Sequence, residues 1–105
     1  MRSGELDRRI VLQSPSATRS ATGAEVTTWA DVATVWAAVK REKGGESDAA
    51  EARQQMAAVV FRIRWRAGVL PGWRVSFDGR LFDVADVREL GRREGLELVA
   101  AARAT

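Results

Sequence analysis

The groups in this 105-residue chain that could do chemistry are almost all charged side chains. Asp83, Asp86, Glu89, Glu94 and Glu97 crowd its C-terminal part. Two carboxylates at the right separation can act as general acid and general base. A proton relay of that kind needs a partner base, a pocket or a metal, and no metal-ligand spacing accompanies these five residues. The chain has neither histidine nor cysteine. That removes the commonest general base, the thiolate nucleophile and the cysteine-type zinc site. The expectation is therefore a protein without catalysis, without a metal and without a cofactor, whose carboxylates form an acidic surface.

The other charged group is cationic and periodic. Residues 59–66 read VVFRIRWR, with Val59, Phe61, Ile63 and Trp65 on one parity and Arg62, Arg64 and Arg66 on the other. Successive side chains of a strand point to opposite faces, so the pattern predicts a strand with an apolar face and an arginine face. Val60 is the apolar exception on the arginine parity. Between Phe61 and Arg80 there are five arginines against the single Asp78. Such a row suits the phosphate backbone of DNA or an acidic protein neighbour, and base readout is not implied. As a plain alternative, it is a solvated strand face whose arginines contribute little individually.

The elements that position these residues follow from pattern. Gly68, Pro71 and Gly72 end the central strand. Trp73 to Phe77 and Arg80 to Val87 form a hairpin around Asp78-Gly79, both of which tolerate positive φ. Val87 to Arg93 reads as a connection with room for one helical turn, and Gly95 to Ala102 as the last strand. Upstream, Arg8 to Gln13 is a short strand and Ser14 to Gly23 a polar surface loop. An extended pattern resumes from Glu25 to Trp29. In residues 31–40, Val32, Val35, Trp36 and Val39 fit a helical stripe, while Val35, Ala37 and Val39 also alternate. The β-branched content favours a strand over residues 34–41. Arg41 to Gln55 is a long connection with a Gly44-Gly45 hinge, and Ser47 to Gln55 carries helix formers.

Together these predict an all-β fold: one domain, residues 1–105, forming a small antiparallel β-barrel of five to seven short strands. One long loop, helical in part, separates the second and third main strands. A chain of this length buries roughly 65% of its unfolded surface, enough for one modest core. Seventeen basic residues against fourteen acidic ones give a net charge of +3. No apolar run reaches membrane-spanning length, and the N-terminus lacks an apolar export core. Synthesis in the bacterial cytoplasm, with no membrane partner, is the expectation.

The order of these features resembles a known family. Gly4 to Ile10 (GELDRRI), Trp29 ahead of Val35-Trp36-Ala37, the strand Phe61 to Arg66 with Gly68 and Pro71, and a hairpin ending Leu81-Phe82-Asp83-Val84 resemble the head–tail joining proteins of tailed phages. These are also called head-completion, adaptor or stopper proteins, and occur too in prophages and gene transfer agents. The resemblance covers roughly Gly4 to Ala101 and rests on order and spacing. It implies a barrel that assembles as a ring, commonly of twelve copies, with the portal or adaptor ring above and tail proteins below. The excursion between the second and third strands can reach the channel in such proteins and help retain DNA. Here it carries Arg41, Lys43, Gly44, Gly45, Glu46 and Arg53, and its near-neutral charge points to packing against neighbouring copies. Of Trp29, Trp36, Trp65 and Trp73, most suit a core. Trp36 is the candidate interface aromatic, because its parity opposes Val35 and Val39. An acidic face opposite an arginine face would let copies dock head to tail. The rival is a free-standing OB-type barrel that binds single-stranded nucleic acid through Arg62, Arg64, Arg66 and exposed aromatics.

Overall fold

Among the described residues, alternating apolar side chains set the barrel portions of six antiparallel strands. The computed structural model describes residues 6–41 and 58–102. They are β1 (Arg8–Arg19), β2 (Glu25–Arg41), β3 (Ala58–Arg64), β4 (Arg74–Phe77), β5 (Arg80–Leu90) and β6 (Gly95–Ala102). The sheet closes on itself in the order β1-β2-β3-β6-β5-β4, with β4 pairing back onto β1. The described residues contain no helix, so the predicted all-β class and the strand count hold. The long β2–β3 connection, with Lys43, Gly44, Gly45, Glu46 and Arg53, lies outside the described residues.

The apolar parity of each strand lines the barrel. Ile10, Leu12, Ala37, Val59, Phe61, Ile63, Val75, Phe82, Val84, Leu96, Leu98 and Ala100 form one buried cluster, joined by Val69 from the β3–β4 loop. Phe61 is fully buried, and its ring meets Phe82 at 5.3 Å and Phe77 at 5.8 Å, both edge-on. Edge-to-face packing sets the positive ring edge on the negative face, adding to the burial energy. Asp78 and Gly79 both take positive φ, 55° and 76°, the backbone of a tight hairpin turn.

Three predicted boundaries change. Ser14 to Gly23 is not a loop: β1 continues to Arg19 and pairs with Glu25 to Ala30, so hairpin residues extend beyond the barrel as an arm. Its side chains are mostly exposed, which is why an apolar-pattern argument misses it. Main-chain pairing holds it, with the turn closed by Ser20 N donating to Ala24 O at 2.8 Å and Gly23 N to Ser20 O at 2.9 Å. The two extended segments expected in residues 25–41 are one strand of 17 residues, and strand wins over helix for residues 31–40. Finally, Val87 to Leu90 stays in β5 rather than forming a connection. The ladder shifts at Ala85, between Val84 opposite Ala100 and Asp86 opposite Val99. This bulge reverses the parity, turning Val87 towards the core and Asp86 outward.

Replacing Phe61 with alanine should lower the unfolding free energy by about 3–5 kcal/mol, because a large cavity opens among closed strands. Thr27→Ala in the exposed arm should change it by under about 0.5 kcal/mol. Urea denaturation of both variants measures the contrast; similar midpoints would contradict this core.

Candidate assembly surface

The outward parity of β3 carries the arginine row into three different settings. Arg62 donates from Nη2 to Glu97 Oε2 at 2.8 Å, across the β3–β6 pair in which the two residues are directly opposite. On the far side of Glu97 stands Arg88, whose Nε donates to Asp86 Oδ2 at 3.0 Å. Arg64 is exposed at the end of β3, and Arg66 is half-buried just past it. Val60, on the same parity, is buried between Lys40 and Val99 on the neighbouring strands and lies outside the core cluster. The C-terminal carboxylates are thus interleaved with arginines: the outer surface of β5 and β6 is mixed in sign.

Trp36 points outward and is 51% exposed. Its register partner on β1 is Arg9, whose guanidinium carbon sits 4.9 Å from the ring centroid. Ala37 pairs with Ile63, so the same antiparallel register carried one residue further sets Trp36 opposite Arg64. Arg41, the last residue of β2, is exposed where the chain leaves the barrel. Trp65 and Trp73 pack against the core, and Arg93 lies 4.9 Å over Trp65.

The arm is braced where it leaves the barrel. Arg74 on β4 stands opposite Gln13 on β1, and its Nε donates to Gln13 Oε1 at 2.6 Å. Gln13 Nε2 in turn donates to Asp31 Oδ1 on β2 at 2.7 Å. The Arg74 guanidinium also lies 4.3 Å from the Trp29 ring centroid, two residues up the arm. One side chain therefore ties three strands together. Polar side chains spanning strands distant in sequence leave no local pattern, so this site was not legible beforehand. The ladder shift beside Leu12 and Gln13 puts Val32 in a bulge at the same level. That lets Gln13, Asp31 and Trp29 share the outer face.

Among the described residues no group of acidic, histidine or cysteine side chains could hold a metal ion. No described helix is long and apolar enough to cross a membrane.

By architecture this is a small closed antiparallel barrel carrying a braced two-stranded arm. Residues 1–103 match the family model for phage head completion protein, and the chain belongs to that family. The family is structural rather than enzymatic, so the chain is a virion component of a phage-like particle that associates with other virion proteins at the head–tail junction. The solution structure of a protein from Shigella flexneri 2a is similar, with a TM-score of 0.76 at 27% identity over 99% of this chain and 98% of that one. A chain from the virion of a native gene transfer agent particle superposes with a TM-score of 0.67 at 23% identity, over 95% of this chain and 97% of that one. That second likeness concerns the fold. No curated protein matches the chain.

Arg74→Ala should speed amide hydrogen exchange across residues 14–19 and 25–30 while leaving β3 and β6 protected, since only the brace is lost. Uniform protection after the change would show that the arm needs no brace. For Arg62 and Glu97, a double-mutant cycle to alanine should give a coupling of roughly 0.5–1 kcal/mol that shrinks in high salt, as fits a partly exposed pair.

Proposed function

We propose that the chain is a ring-forming connector subunit beneath the portal, joining the DNA-filled head to the tail and helping to retain the packaged DNA. The family match over nearly the whole chain carries this reading. In it, copies made in the cytoplasm associate as a ring, of twelve in the finished particle, between a portal or adaptor ring above and tail proteins below. Arg41, Lys43, Gly44, Gly45, Glu46 and Arg53 belong to the segment that packs against neighbouring copies. Arg62, Arg64 and Arg66 face the channel or a neighbour. A closed barrel suits this role, because closure removes the open sheet edges through which copies could stack without limit. The arm, braced at its root, would extend each copy's reach.

The OB-type alternative requires aromatics open to bases beside the arginines. Phe61 is fully buried, Trp65 packs against the core, and Trp29 and Trp36 each already lie under an arginine. Trp36 is the one described aromatic left largely exposed beside arginines, too little for a platform that stacks successive bases.

Particles assembled without this chain should contain filled but tailless heads, and adding the purified chain should restore tail joining, scored by electron microscopy. Free duplex DNA should bind the isolated chain weakly and lose affinity as salt rises, because one copy carries a net charge of only +3. Tailed, infectious or transferring particles formed without the chain would remove the connector reading.

A further inference from the structure

The outer wall formed by β1, β2 and β3 is rich in cations where it nears the β2–β3 connection. Its outward positions pair as Arg9 with Trp36, Val11 with Thr34, Ala38 with Arg62, and Lys40 with Val60, and Arg64 completes the row. The carboxylates at its border are already engaged: Asp31 accepts from Gln13, Glu97 pairs with Arg62 and Asp7 lies 3.9 Å from Arg8. At its centre Trp36 is half exposed, already stacked by Arg9. Tryptophan and arginine are the side chains that most often carry binding energy at protein contacts, and a pre-stacked pair loses little freedom when it is covered.

Resting on the connector reading, we infer that this wall is a protein-docking surface, with Trp36 as its anchor and Arg9 and Arg64 as flanking cations. The partner is a different virion protein that presents carboxylates around an apolar recess. A second copy fits less well. The strand across the barrel is β5, three strands from β2 in either direction. Its Asp86 is paired with Arg88, and Glu97 on the adjacent β6 is paired with Arg62. Asp83 is engaged as well. Docking the wall of one copy on those carboxylates would first break contacts within the other. Duplex DNA fits less well too. Its bases are stacked on one another, so the indole finds no face to cover, and phosphates would use the arginines alone.

The test supplies particle-producing cells with the wild-type chain, Trp36→Ala, Trp36→Phe or the double variant Arg9→Glu/Arg64→Glu. Copies of the chain per particle are counted by quantitative mass spectrometry. Light scattering of each isolated chain and its affinity for a duplex DNA probe are measured alongside. The alanine and double variants should fall at least about tenfold in incorporation, and Trp36→Phe should keep most of it. The association state of every isolated chain, and the DNA affinity of Trp36→Ala, should match wild type. Full incorporation of Trp36→Ala and of the double variant would overturn the inference and leave the connector reading standing. Self-association lost with Trp36 would make the partner a second copy, and DNA affinity lost in step with incorporation would make it nucleic acid; either overturns the inference. Absence of the wild-type chain from particles would end the connector reading, and this inference with it.

Discussion

The barrel is held shut at its narrowest seam. Strand β4 is four residues long and meets β1 at only three positions, Val11 with Ser76, Leu12 with Val75 and Gln13 with Arg74. Everything else depends on that junction. Without it, β1 and β4 become open edges with unpaired N–H and C=O groups, and Leu12 and Val75 lose their fully enclosed positions. The seam is secured from both sides. Inside, Phe77 and Phe82 from the β4–β5 hairpin pack on Phe61 from β3. Outside, Arg74 binds Gln13 and covers Trp29.

The seam therefore also aims the arm. A two-stranded ribbon is marginal alone. Here its root is fixed by the residues that close the barrel, so the arm's direction is coupled to the integrity of the core. For a subunit that must meet neighbours at the head–tail junction, a projection with a set direction limits the orientations to be searched on docking. The walls divide similarly. On β5 and β6, Asp86 pairs with Arg88 and Glu97 with Arg62 of β3, which leaves a balanced surface. On β1 to β3, Arg9 and Arg64 flank an exposed indole, while Arg62 turns to Glu97 on β6.

The two bulges show how a strand can serve both walls. At Ala85 the shift turns Val87 inward and brings Asp86 out beside Arg88. At Val32 it lets β2 pass from lining the core to bearing the arm while Asp31 and Trp29 stay on one outer face. Strict alternation would have sent one of these side chains to the wrong side.

What the sequence determined alone was the part of the fold written in period two. Val59, Phe61, Ile63, the Asp78-Gly79 turn and the strand from Gly95 to Ala102 announce themselves because local backbone geometry forces neighbouring side chains to opposite faces. The family, too, was legible from the order of those segments, and the match over residues 1–103 bears it out. Tertiary structure decided the arm, the bulges, the pairing of Arg62 with Glu97 and the bridge from Arg74 through Gln13 to Asp31. These join residues far apart in the chain, and the arm buries too little apolar surface to leave a hydrophobic pattern. Their stabilising bonds exist only once closure brings β1, β2 and β4 side by side, so no window of neighbouring residues could encode them.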